Sequence, residues 1–371
     1  MIVVVDHIPG LASALAPFDE VRSLPAASIS NDVLRSLKCT ALFVRTTTRV
    51  DAQLLDKTNV RFIGTASSGS DHIDVDLARS LNITVCAAPG CNALAVTEYV
   101  LYAILRAHIA VAGKDSLQSL QHHRIGIVGF GKVGRMVARA CTLLGISVLL
   151  HDPPALERGE LSQAERHLHS SLEDILHNCT IVTNHVPKTS YGAYPTLQLF
   201  DGHRLSMLNT NAIFIHSSRG GVVNEQALSE QKMFKNIFTA IDVWDNEPAY
   251  LVASARAANI STPHIAGHSV DATFTAAAMM YEAYVRNAKR VNDNQVINLP
   301  SCLLPQSPAH RRRLDEFADL AELCDALEAS LDIPRLHQHM THPEPKSANL
   351  STHFLHARNS YTSRREIITL N

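Results

Sequence analysis

The tightest constraint on the fold lies between residues 124 and 152. The run Arg124-Ile-Gly-Ile-Val-Gly-Phe-Gly-Lys-Val-Gly-Arg135 takes a short β-rich apolar stretch into a turn with glycines at 129, 131 and 134. Apolar residues then recur at helical spacing (Val133, Met136, Val137, Ala140, Cys141, Leu144) until Gly145, and a second apolar run, Ile146-Ser-Val-Leu-Leu-His-Asp152, follows. This reads as strand, tight turn, helix, strand. In that setting Gly129 permits the sharp turn, Gly131 lets a diphosphate approach the backbone, and Gly134 lets the helix pack on the strand. Lys132 and Val133 open the helix beside the ligand. Asp152, at the end of the second strand, stands where a carboxylate accepts hydrogen bonds from a ribose and repels a 2′-phosphate. The expected cofactor is therefore NAD rather than NADP.

The rest of the chain fits an α/β protein of more than one domain. Residues 1–92 alternate apolar strands (residues 2–5, 41–44, 61–64 and 83–86) with helical stretches, so a separate parallel-sheet unit precedes the glycine turn. An apolar helix leads from residue 93 into the second unit, whose further strands are expected at 180–184, 212–216 and 238–243. A helical run over 271–291 returns the chain to the first unit. The expected fold is two doubly wound, Rossmann-like parallel-sheet domains with a deep cleft between them, plus a small C-terminal α+β domain. Its expected boundaries are 1–92 with 268–292, 93–267, and 293–371, the last beginning with a helix over 311–331. That C-terminal part is too small for a core of its own, so Phe317, Leu320, Leu323, Leu327 and Leu331 are expected to bury against a second copy in a homodimer.

A net charge of −2 gives no electrostatic footprint for nucleic acid or an anionic membrane. Seven cysteines without a C-x-x-C pair point to reduced thiols and a cytoplasmic protein. The first residues lack the basic start and apolar length of a signal peptide. Histidines 337, 339, 342, 353 and 356 fit no standard zinc spacing, and no metal is expected.

Three polar residues fall on loops after late strands: Arg219, Glu247 and His264. Removing a hydride from an alcohol carbon requires a base for the hydroxyl proton, a cation for a neighbouring carboxylate, and a group to orient the base. The three types fit those three tasks, although each alone has an ordinary structural reading. With Gly129-Phe-Gly-Lys-Val-Gly134, Ser218-Arg-Gly-Gly-Val-Val-Asn224, Asp242-Val-Trp-Asp-Asn-Glu-Pro248 and Thr262-Pro-His-Ile-Ala-Gly267, the chain resembles the D-isomer-specific 2-hydroxyacid dehydrogenases. The resemblance implies His264 as acid/base, Glu247 as its partner and Arg219 as the carboxylate clamp. It also implies NAD contacts at Asp152, Val186, Ser217, Ser218, Arg219, Asp242 and Gly267, and substrate contacts at Thr46 and Ser67. His268 departs from the tyrosine common in the family and bears on substrate fit. A narrower likeness, over residues 70–74, 88–100 and 151–154, implies a phosphorylated 2-hydroxy acid as substrate, and Arg45 is the expected phosphate ligand, with Arg364 or Arg365 reaching in from a dimer partner. Another 2-hydroxy acid, or a non-catalytic NAD(H)-binding module, remains as an alternative.

Overall fold

A computed structural model describes residues 1–113, 120–289, 295–305, 310–343, 349–361 and 364–370. The chain divides into two compact units, Met1–Asn92 with Ser269–Ala309, and Ala93–His268 with His310–Asn371.

The first unit holds a parallel sheet of β1 (Ile2–Val5), β2 (Val21–Leu24), β3 (Ala41–Val44), β4 (Phe62–Thr65) and β5 (Thr84–Cys86), in the order β2-β1-β3-β4-β5. Strands β1, β3 and β4 are buried along their whole length, which is why they read as unbroken apolar runs. The helix Val270–Lys289 belongs to this unit, and its Ala276, Ala277 and Met280 pack on Phe43 and Phe62. Residues 290 and 291 of the expected helix lie outside the described residues.

The second unit repeats this topology with one strand more. Its strands β6 (Arg124–Val128), β7 (Ser147–His151), β8 (Ile181–Asn184), β9 (Ile213–His216), β10 (Phe238–Ile241) and β11 (Ile260–Ser261) are arranged β7-β6-β8-β9-β10-β11, all parallel. One face of the sheet packs on the helices Ala93–Ala112 and Lys132–Leu143, the other on Leu172–Asn178 and Glu225–Lys235. The helix Ala93–Ala112 is long and apolar enough to cross a membrane, but its buried residues form the centre of this core.

The C-terminal segment corrects the sequence reading. Residues 293–371 were expected to stand apart. Instead residues 269–309 group with the first unit and 310–371 with the second. The expected helix over 311–331 begins only at Leu320, capped by Asp319, because Arg312–Arg313 pairs with Ile368–Thr369 as a short parallel ladder. Leu323, Leu327 and Leu331 are almost wholly buried in the core around Ala93–Ala112, and Phe317 is 8% exposed. Each such burial is worth roughly 1.5–3 kcal/mol, and it is satisfied within one chain rather than by a second copy. Further on, Met340 and Phe354 join the core on the opposite face of the sheet. Between them the helix Ile333–Thr341 covers the edge strand β11, and the Ser261 amide donates to His337 Nδ1 at 3.1 Å.

The tail histidines thus have structural partners. His339 and His353 stack with ring centroids 3.7 Å apart, and His353 Nε2 donates to the His339 carbonyl at 2.8 Å.

Candidate active site

In a doubly wound sheet the strands' carboxyl ends form the crevice for ligands, centred where the strand order reverses. In the second unit that point lies between β6 and β8. Every polar residue singled out there sits on a loop leaving a carboxyl end.

The glycine turn follows β6. Gly129 has φ +90°, and a Cβ on it would come within 2.9 Å of the His185 carbonyl and of Val186 Cγ1, so the loops after β6 and β8 touch. Gly134 packs with its Cα against the Gly129 carbonyl, where a Cβ would lie at 2.2 Å. By contrast a Cβ on Gly131 would meet nothing within 4 Å. Gly131 caps the helix Lys132–Leu143 with no side-chain hydrogen bond, so the first N–H groups of Lys132, Val133 and Gly134 face that space. Asp152 ends β7 beside it, accepting from the Phe130 amide at 2.7 Å and the Ala155 amide at 2.9 Å. It therefore ties the glycine turn and caps the helix Pro153–Glu157, and a carboxylate with two such bonds retains lone pairs for a ribose. Ser217 Oγ, just beyond β9, is buried without a hydrogen-bond partner. An open, uncapped helix start, a carboxylate beside it and an orphaned hydroxyl on a neighbouring loop fit a dinucleotide.

The proton-handling pair lies on the loops after β10 and β11. His264 Nδ1–H donates to Glu247 Oε2 at 2.7 Å, and the other carboxylate oxygen accepts the Trp244 amide at 2.7 Å. A carboxylate only accepts, so the bond fixes the neutral imidazole as the Nδ1–H tautomer and leaves Nε2 as the free base. Burial pushes the Glu247 carboxyl up, but the His264 charge and hydrogen bond, the Trp244 amide and Arg358 hold it net below the usual carboxylate range.

His264 has φ +57°, an uncommon conformation for a side chain with a Cβ. Asp242 holds it there. The Asp242 carbonyl accepts the His264 amide at 2.7 Å, and its carboxylate accepts the Ile265 amide at 2.8 Å, the Ala266 amide at 2.9 Å and the Thr262 hydroxyl at 2.7 Å. Burial raises the Asp242 pKa, opposed by His264 and by those donors. Asp242, which the resemblance places at the cofactor, also serves in this structure as the internal clamp of the histidine loop. Gly267 lies in the turn that closes this loop, where the His268 amide donates to Ile265 O at 2.7 Å.

The Arg219 loop is brought against the Glu247 loop by Gly220, whose Cα lies close to the Trp244 carbonyl; a Cβ there would sit 1.8 Å from that oxygen. Arg219 is half-buried and donates to the Ser218 carbonyl at 2.9 Å. Beneath it lies a polar network of which the sequence singled out only Ser218. Asn184 and His216, register partners on β8 and β9, bond through His216 Nδ1 and Asn184 Oδ1 at 3.1 Å, and Ser218 Oγ donates to the same oxygen. The signal was faint: polar residues ending otherwise apolar strands.

In the first unit, Thr46 is exposed after β3. Arg45 beside it donates to the His7 carbonyl at 3.4 Å, at the point where this sheet's own order reverses. Ser67 Oγ donates to the Gly69 carbonyl at 2.6 Å and bonds Thr65 Oγ1 at 2.8 Å. Arg364 does not reach outward: it is buried in the second unit against Glu98, with its Nε donating to the His268 carbonyl at 3.2 Å.

A family model described as D-isomer specific 2-hydroxyacid dehydrogenase, NAD binding domain, matches residues 101–266. The chain belongs to the D-isomer-specific 2-hydroxyacid dehydrogenase family, and its cofactor is NAD. Within that family its relatives include the erythronate-4-phosphate dehydrogenase of Hahella chejuensis, 35% identical over 90% of this chain and 83% of that protein. The enzyme of the same name from Edwardsiella ictaluri is 34% identical over 98% of this chain and 92% of its own length. Among solved structures, the fold is shared with an NAD-bound 3-phosphoglycerate dehydrogenase of Entamoeba histolytica (TM-score 0.65, 18% identity, 81% of this chain and 99% of that one). It is also shared with a D-lactate dehydrogenase of Aquifex aeolicus (TM-score 0.62, 19% identity, 78% and 96%).

Proposed function

We propose that this chain oxidises 4-phospho-D-erythronate at C2 to 2-oxo-3-hydroxy-4-phosphobutanoate, a step of pyridoxine 5′-phosphate (vitamin B6) biosynthesis. The observation that carries the chemistry is the His264–Glu247 pair at 2.7 Å, and the name of the relatives supplies the substrate. His264 Nε2 takes the C2 hydroxyl proton while the C2 hydrogen leaves as hydride with the electron pair of the C–H bond, so the alcohol loses one proton and one hydride and becomes a carbonyl. Glu247 keeps the ring oriented and stabilises the imidazolium that forms. Arg219 pairs with the substrate carboxylate and so fixes C2 opposite the base. Bound NAD supplies the hydride acceptor. The residues that would hold it are Gly129, Gly131, Lys132, Val133 and Gly134 at the diphosphate, Asp152 at the ribose, and Val186, Ser217, Ser218 and Gly267 along the loops.

The substrate ligands Thr46, Ser67 and His268 are carried over by resemblance, and Arg45 is proposed for the phosphate because a second anion requires a cation other than Arg219. A homodimer and a cytoplasmic setting complete the proposal, the latter supported by seven cysteines that form no disulfide among the described residues.

The test is to follow the absorbance of reduced nicotinamide while the protein and NAD are offered 4-phosphoerythronate, erythronate or 3-phosphoglycerate, and to follow its loss with glyoxylate. A kcat/KM highest for 4-phosphoerythronate is expected. Preference for another acid would move the protein to a different substrate in the same family, and NAD binding without any turnover would favour the non-catalytic module.

A further inference from the structure

At the end of β6 opposite the glycine turn, three histidines converge. His108 lies on the helix Ala93–Ala112 and is 7% exposed, whereas His122 and His123 form the turn that enters β6. One ring nitrogen from each lies within 4.8 Å of the other two, and the His122 and His123 rings are 4.1 Å apart. We propose that these three residues form a binding site for a divalent transition-metal ion of the zinc type. The proposed reaction does not use it: β6 is five residues long, so the cluster is roughly 17 Å from the glycine turn.

The geometry favours a metal over a chance cluster in two respects. First, His108 Nδ1 and His123 Nε2 are 3.3 Å apart. Two imidazole nitrogens on a tetrahedral zinc, each at about 2.0–2.1 Å, are separated by about 3.3 Å. Second, the tautomer of His123 is set by its other nitrogen. The Thr180 hydroxyl hydrogen is directed at the Arg124 carbonyl at 3.3 Å, so its oxygen accepts from His123 Nδ1–H at 3.0 Å. That leaves the Nε2 lone pair aimed at His108. An imidazole oriented through its far N–H in this way is the usual arrangement around a protein-bound metal.

His122 is exposed, so an ion has a route in and its ring is free to turn onto the metal. Three imidazoles and one open position suit Zn²⁺, with Ni²⁺ and Cu²⁺ as chemically acceptable substitutes. An occupied site would tie the core helix to the strand that carries the glycine turn.

The experiment is titration of the full-length protein with Zn²⁺ by calorimetry, alongside Co²⁺ followed by its visible absorption. The expected result is one saturable site per chain, the intense d–d bands of tetrahedral Co²⁺, and a rise in Tm with Zn²⁺. His122→Ala, an exposed change that leaves the fold intact, should weaken binding by about 100-fold or more and remove the Tm rise. Thr180→Val, which frees the His123 tautomer, should weaken it by about 10-fold. His356→Ala, in the separate tail cluster, should change nothing. Absence of a saturable site, or equal binding by wild type and His122→Ala, would overturn the proposal in favour of a hydrogen-bonded histidine cluster. NAD-dependent activity is read in parallel: its loss or retention bears on the proposed reaction, and the metal stoichiometry alone decides this site.

Discussion

The two sheets have the same strand order up to the extra edge strand β11, yet they treat the same position in opposite ways. In each, the first strand of the switch point runs into a helix capped by a glycine: Gly10 before Leu11–Leu15, Gly131 before Lys132–Leu143. At Gly10 a Cβ would lie 1.9 Å from the Cys302 carbonyl, because residues 301–303 are laid over the helix start. At Gly131 the same atom would meet nothing. One helix start is closed by the chain's own backbone, and the other is left for a ligand. A shared topology offers the anion site twice, and the packing of a distant segment decides which copy is available.

The largest effect expected on the open side is at the base. His264→Asn should lower kcat by at least about 10³-fold while leaving NAD affinity within a few-fold, since the dinucleotide rests on other loops. Near wild-type turnover in that variant would end the assignment. The glycines test the contrast itself. Gly131→Ala has room and an ordinary φ of −75°, so Tm should hold while the NAD Kd rises by about 10- to 100-fold. Gly10→Ala, with φ +69° and a backbone oxygen in the way, should destabilise the first unit by roughly 2 kcal/mol or more without touching NAD affinity. Isothermal calorimetry and thermal melts on both variants would break the comparison if the two outcomes were exchanged.

Acid should act on the second unit first. His216 is almost wholly buried there and His185 is half-buried, and burial pushes each down to about 3. Unfolded histidines bind protons near pH 6.5, so between about pH 6.5 and 3 the unfolded state holds more protons and stability falls as pH falls. At pH 5 the loss is about 2 kcal/mol for each residue. The single tryptophan, Trp244, is buried in this unit and reports on it by fluorescence. A midpoint unchanged from pH 7 to 5 would contradict the buried neutral state.

The smallest effect concerns cofactor choice. Asp152→Ala should reduce the kcat/KM preference for NAD over NADP by about 10-fold, together with about 1 kcal/mol for the lost helix cap. A lower Tm with an unaltered preference would make Asp152 a cap only.

Strands buried on both faces, such as Ile2–Val5 and Ala41–Val44, were legible because a central parallel strand must be apolar throughout, and the edge strands Thr84–Cys86 and Ser147–His151 were legible from their apolar runs. The edge strands Val21–Leu24 and Ile260–Ser261 were not legible, since one is half-exposed and the other is two residues long. Their pairing depends on neighbours rather than on pattern. The glycine turn was readable because its chemistry is local: three glycines and a carboxylate at fixed spacing suffice to describe it. The role of Asp242 was not, because its four partners, the His264, Ile265 and Ala266 amides and the Thr262 hydroxyl, come from a loop some twenty residues away. The C-terminal leucines show the same limit. Their helical spacing determined that an apolar face exists, but only tertiary packing decided that the helix Ala93–Ala112, rather than a second chain, covers it. Burial of apolar surface is non-directional, so a sequence specifies that a face must be covered and leaves its partner to the fold.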